Sequence, residues 1–329
     1  MPTANLSRPI DAARIRIWEI AVWVFALAMW FIAPKYAPLF NEIAILALFA
    51  VSLDLILGYG GIVSLGHAAF FGTGAYVAAL FAKHLMPDPL VGLAVAVAVS
   101  TLLGLLTSVL VLRGSDLTRL MVTLGVALIL YELANRFDNI TGGADGLQGV
   151  VTGPLFGKFA FDLGGRAAYL YSLTTLFVLF FLARRIVHAP FGYGLRAIRD
   201  NSRRAAAIGI PVDARLTAVY TLAAGYAGAA GALLAQTTNF ASLDGLDFHR
   251  SADVLLALVL GGTGWLYGGI VGTVAFKLMH DTFSAWTPQY WQFWIGAVFV
   301  VLMVTGRDRL TAPLRRLLRV GRRETSVER

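Results

Sequence analysis

The 329-residue chain contains no cysteine, which removes disulfides, thiol nucleophiles and cysteine-ligated metals from consideration. Charge is scarce as well. Only 14% of residues are Asp, Glu, Lys or Arg, where a soluble domain carries roughly a quarter. The signatures of soluble catalysis are missing too. No G-x-x-x-x-G-K-[ST] phosphate loop occurs; Gly157-Lys158 comes nearest and is followed by Phe159. Paired-histidine metal motifs and a serine elbow are also absent. The chain is therefore expected to hydrolyse no ATP by itself, and no catalytic residue or metal site is predicted.

What is abundant is apolar sequence. Hydrophobic residues make up 58% of the chain, with mean hydropathy +0.72, and the apolar runs recur along its whole length. An all-α, polytopic helical membrane protein is the expected fold. Segments able to cross ~30 Å of hydrocarbon are predicted at 17–33, 39–57, 67–83, 90–112, 117–134, 168–183 and 216–236. Three compressed ones follow at 252–262, 265–283 and 290–305. About ten spans (eight to ten) result. Segment 252–262 is short enough to be tilted, broken or re-entrant.

The net charge of +8 is concentrated in a few flanking segments, the pattern of positive-inside topology. Residues 1–16 hold Arg8, Arg14 and Arg16 against Asp11. Residues 184–215 hold Arg184, Arg185, Arg196, Arg199, Arg203, Arg204 and Arg215 against Asp200 and Asp213. The tail 306–329 is similarly basic. All three are expected on the cytoplasmic side of a single permease-like membrane domain, and the loop 135–167 on the opposite side.

Within the basic loop, PFGYGLRAIRDNSRRAAAIGIP (190–211) is expected to be an ordered helix with Arg196, Arg199, Arg203 and Arg204 along one side. Gly209 followed by Pro211 reads as its stop. Glycines interrupt the apolar sequence twice more. LDLILGYGGIVSLGHAAFFGTGAY is either closely packed helix or an unwound segment shielded from lipid. GGTGWLYGGIVG (261–272) is expected to turn tightly between two helices. His67 is expected to pack or hydrogen-bond rather than ligate. Lys277 and Asp281, four apart, are placed to pair, and the scattered intramembrane charges form no convincing proton relay. GYAGAAGALLA places Gly225, Ala229 and Ala232 on a packing face. A repeated YGGIV, at 59–63 and 267–271, hints at an internal repeat.

Four blocks in order carry a family resemblance: LDLILGYGGIVSLGHAAFFGTGAY, MVTLGVALILYELANRFDNITGGADGL, PFGYGLRAIRDNSRRAAAIGI and LGGTGWLYGGIVGTVAF. Together they resemble the LivH/LivM permeases of branched-chain amino acid ABC importers, from about residue 40 to 305. The resemblance implies a type II-like ABC importer permease in a bacterial inner membrane. Its implied partners are a homologous second permease, two ABC ATPase subunits that carry ATP and Mg, and a periplasmic substrate-binding protein. It also implies that this chain binds no cofactor.

By the same resemblance, Arg196, Arg199, Asp200, Arg203, Arg204, Ala205, Ala206 and Gly209 form the ATPase-coupling loop. Gly60, Gly61, Ser64, Gly66 and His67 line the translocation path. Thr141, Gly142, Gly143, Asp145 and Gly146 lie near the binding protein. The stretch LTRLMVTL departs from the family, which tends to carry an aromatic residue there, and Asp116 and Arg119 are unusual in charge. Related permeases for urea, short amides or aromatic acids are the alternative cargo class. A self-sufficient secondary transporter or channel is the alternative mechanism.

Overall fold

The computed structural model describes residues 17–305, apart from 158, 162 and 163. The basic ends 1–16 and 306–329, expected in the cytoplasm, lie outside the described residues. Each predicted apolar run is a helix: α1 (Ile17–Ile32), α2 (Ala37–Asp54), α3 (Ala68–His84), α4 (Pro89–Val111), α5 (Asp116–Arg136) and α6 (Arg166–Val187). The basic loop contributes α7 (Pro190–Asp200) and α8 (Ser202–Ala207). The order continues with α9 (Val212–Thr238), α10 (Phe248–Gly261), α11 (Leu266–Trp286) and α12 (Trp291–Thr305). Among the described residues five helices are long and apolar enough to cross a membrane: 34–59, α4, α5, α6 and α9. A sixth span results if α10 and α11, bent by 112° at their junction, count as one. The chain is a polytopic helical membrane protein.

Helix α9 is the axis of the compact body, which runs to Ala275. It packs most extensively on α4 and α3, then on α2. Lipid tails are as apolar as leucine, so helices associate in a membrane by close fit rather than by escape from water. The sequence supplies that fit. A Cβ on Gly228 would meet Ser100 of α4, one on Gly74 would meet the Gly228 backbone, and one on Gly231 would meet the Phe71 carbonyl. Ala229 and Ala232 are fully buried. The expected packing face is thus the seam joining α3, α4 and α9.

Polar side chains fasten the helices where apolar packing gives no direction. Gln236 Nε2 donates to the Pro89 carbonyl (2.8 Å), and Tyr171 Oη donates to Gln236 Oε1 (2.9 Å). This pins the start of α4 to α9 and α6. Asp88 caps α4 and Asp247 caps α10. Partial burial works to raise the Asp247 carboxyl, but the His249 amide and ring hold it below the usual carboxylate range. Glu19 and Arg184 form a buried ion pair between α1 and α6.

The loop between α5 and α6 is shorter than expected, 137–165. It is tied down at the α3–α4 end of the body: Gly153 N–H donates to the Pro87 carbonyl (2.7 Å) and Leu147 N–H to the Ala241 carbonyl (2.7 Å). Residues 276–305 form a second unit, the end of α11 with α12. In it Lys277 pairs with Asp281 (3.2 Å), as their spacing predicts, and Trp286 stacks on Trp294.

The repeated pentapeptide does not mark equivalent structures. Tyr59 closes a π turn and residues 60–63 leave the helix, whereas 267–271 lie inside the first turns of α11.

Candidate functional site: the basic helix pair and two unwound segments

The first glycine cluster unwinds. After the π turn Leu55–Tyr59, residues 60–67 are non-helical until α3 begins at Ala68. Gly61 takes φ +71°, a region open to glycine. Backbone freed from a helix must be satisfied by protein, and groups at both ends of this stretch find partners. Ile62 N–H donates to the Ile56 carbonyl (2.9 Å), and Ala68 N–H donates to Ser251 Oγ of α10 (2.8 Å).

Of the expected path residues, Gly60, Ser64, Gly66 and His67 are buried within this chain and Gly61 is partly so. His67 Nε2 hydrogen-bonds Ser52 Oγ (2.9 Å), and its ring stacks on Phe49 with centroids 5.6 Å apart. It packs and hydrogen-bonds, as expected of a lone histidine. Gly66 is pressed against the Thr123 carbonyl of α5, where a side chain has no room.

The second cluster breaks the chain between α10 and α11, with Gly262 at φ +108° and Gly264 at φ +77°. The two breaks meet. Asp54, fully buried at the end of α2, accepts a hydrogen bond from Gly264 N–H (2.7 Å) across 210 residues. A Cβ on Gly58 would strike both the Asp54 carboxylate and the Gly264 nitrogen. Asp54 was one of the scattered intramembrane charges in the sequence, with no role assigned to it. Its signal was a lone carboxylate preceding a glycine run, but the partner was not readable locally.

The basic segment 190–211 sits against this junction, and it is two helices rather than one. Asn201 adopts extended backbone (φ −163°, ψ 101°) and its side chain accepts from Arg204 N–H (2.9 Å), starting α8. Asn is among the best N-caps, which is why the chain breaks here. The four arginines therefore do not share one side.

Arg196 lies over the Tyr59 ring (5.1 Å) and the Tyr193 ring (5.6 Å). Arg199 Nη1 donates to the Gly58 carbonyl, and a methyl on Gly264 would stand 3.2 Å from the same nitrogen. Asp200 pairs with Arg199 on the exposed edge (3.3 Å). Arg215, on α9, donates to the carbonyls of Pro190 (3.0 Å) and Phe191 (3.1 Å). Thus α7 is hydrogen-bonded to the turn before the first unwound segment, lies beside Gly264 of the second, and is tied to α9.

Beyond Asn201 most of the segment is exposed. Arg203, Arg204, Ala206, Ala207, Ile208 and Gly209 are exposed, while Ala205 is buried. The expected stop is a Schellman cap. Gly209 takes φ +86°, its N–H bonds the Ala206 carbonyl (3.0 Å), and Ile210 N–H bonds the Ala205 carbonyl (3.1 Å).

At the other end, the glycines of TGGADGL shape a turn. Gly142, Gly143 and Gly146 have φ of +79°, +53° and +72°. Thr141 is buried and donates to the Ala134 and Phe137 carbonyls. Gly143 and Gly146 are buried and Gly142 partly so, which leaves Ala144 and Asp145 as the exposed tip of the turn. Asp116 and Arg119 pair with each other at the start of α5 (3.3 Å).

The chain matches the family model described as branched-chain amino acid transport system / permease component over residues 36–303. Two relatives bear the name high-affinity branched-chain amino acid transport system permease protein LivM, from Salmonella typhimurium and Escherichia coli. Each is 28% identical over 325 residues, covering 90% of this chain and 75% of the relative. No solved structure matches significantly. Four sequence blocks, a matching model over most of the chain and a helical multi-pass body built around them agree: the chain belongs to the branched-chain amino acid transport system permease family.

Proposed function

We propose that this chain is a transmembrane subunit of an ATP-driven importer for leucine, isoleucine and valine, in a bacterial inner membrane with both chain ends cytoplasmic. It forms the path with a homologous second permease. ATP and its Mg²⁺ are held by two separate ATPase subunits, and cargo arrives on a periplasmic binding protein. The single observation that carries this reading is the two-part basic segment. Its α7 half is hydrogen-bonded at Gly58 and lies beside Gly264, while its α8 half presents Arg203, Arg204, Ala206 and Ile208 outward.

A surface displaced by ATPase closure would move α8, and α7 would carry that motion to Gly58 and Gly264. Those breaks sit where long helices change direction, so a small displacement there re-aims α3, α10 and the start of α11. Arg203 and Arg204 would meet acidic groups on the ATPase. Selectivity for branched side chains follows the names of the relatives and would reside mainly in the binding protein.

Proteoliposomes test the proposal. Leucine uptake is expected only when the second permease, the ATPase subunits, the binding protein and ATP are all present. Uptake by this chain alone under an ion gradient would overturn it in favour of a secondary transporter.

A further inference from the structure

A cavity of about 280 Å³ lies between α1, α6, α7 and the break before α11. It falls just under the roughly 300–1,000 Å³ of drug-sized sites, so it suits a small solute. Its walls include Trp18, Tyr59, Trp265 and Tyr267. Trp18 and Tyr267 meet edge to face with centroids 4.8 Å apart, and Trp18 and Trp265 at 5.8 Å. The aromatic wall is thus set before any ligand arrives.

Three charges line the same cavity: Glu19, Arg184 and Arg196. Glu19 is already neutralised by Arg184. Arg196 is placed over the tyrosine rings of residues 59 and 193 and forms no ion pair with a carboxylate among the described residues. The cavity therefore holds one surplus positive charge on a planar, fork-shaped donor, alongside the aromatic side chains of Trp18, Trp265 and Tyr267. Guanidinium groups recognise carboxylates bidentately.

We infer that this cavity binds a small monocarboxylate with a compact apolar body, its carboxylate on Arg196 and its body against Trp18, Trp265 and Tyr267. An additional ammonium on the ligand would meet the surplus positive charge, so a zwitterion binds less well than the simple acid. The occupant would bridge α7 to α1, α6 and the α10–α11 break. Its effect on transport rests on the coupling role proposed above, but its binding does not.

Calorimetric titration of the purified chain in nanodiscs of zwitterionic lipid, without ATPase partners, separates the two. With 3-methylbutanoate as probe, saturable binding is expected, weakened about tenfold or more in Arg196→Gln by loss of the charge-assisted pair. Arg196→Lys should bind more weakly than wild type and more tightly than Arg196→Gln, because it keeps the charge and loses the bidentate fork. Trp265→Leu, at a half-exposed position, should weaken it about fivefold through lost aromatic contact. Should Arg196→Gln not fold, the lysine and leucine variants decide.

Leucine should bind more weakly than 3-methylbutanoate, and inorganic phosphate should not compete. No saturable binding, equal binding in wild type and Arg196→Gln or Trp265→Leu, or tighter binding of leucine would overturn the inference. Competition by phosphate, with loss of the signal in nanodiscs of anionic lipid, would overturn it by assigning the site to a lipid headgroup.

Discussion

Replacing Gly209 by valine is expected to lower ATP-driven uptake about tenfold or more while leaving membrane insertion and the amount of folded protein unchanged. The residue sits at φ +86°, where an L side chain costs roughly 1–2 kcal/mol and branching at Cβ adds to that. An ideal Cβ there meets nothing within 4 Å, so the substitution collides with nothing and leaves the helical body alone. The strain falls on the Schellman cap that closes α8. Relieving it means losing the bonds from Gly209 and Ile210 to Ala206 and Ala205 and re-aiming the exposed tip. A shift of about 1.4 kcal/mol against the docked geometry is a factor of ten. Gly209→Ala should fall between valine and wild type. Uptake and folded yield measured together decide the point; wild-type uptake in the valine variant would separate α8 from coupling.

Gly228→Leu should have the largest effect on stability. Its Cβ would run into Ser100 of α4, and the Gly228 backbone lies directly against Gly74 of α3. One side chain there wedges apart the seam of three helices that define the body. Overpacking costs typically about 1–3 kcal/mol and more where backbone has to move. At roughly 2–4 °C per kcal/mol, the melting temperature in detergent should fall by on the order of 10 °C, or folded material should vanish. Gly125→Leu is the matched comparison: its Cβ meets nothing within 4 Å, so its melting temperature should stay near wild type. Equal behaviour of the two variants would contradict the assignment of the seam.

Much of this architecture is written locally in the chain. The apolar runs locate the helices because a hydrocarbon core demands ~20 consecutive apolar residues. The 252–262 run is too short for that and is indeed half of a bent pair. Gly209 marks a helix stop because a positive φ favours glycine. The packing face of α9 is visible because close helix approach needs small residues.

What stayed illegible is long-range or a matter of competition between local signals. Asp54 and Gly264 are 210 positions apart, and neither sequence neighbourhood names the other. The arginine periodicity across 190–211 pointed to one helix, but the N-cap preference of Asn201 outweighed it. Arg196 and Arg199 consequently contact the chain's own Tyr59 and Gly58, while Arg203 and Arg204 point outward without such contacts among the described residues. The two YGGIV copies show the converse failure, because identical pentapeptides take helical and unwound forms according to their tertiary surroundings.

The proposed coupling requires that the α8 tip, and not another surface, meet the ATPase. The cysteine-free chain allows a direct measurement. Ile208→Cys, at a position 70% exposed, would be labelled with a maleimide photo-crosslinker in the assembled transporter, with Ala144→Cys at the far end as comparison. The label at 208 is expected to capture an ATPase subunit and the label at 144 is not. No ATPase captured from 208, or capture from 144 instead, would contradict it.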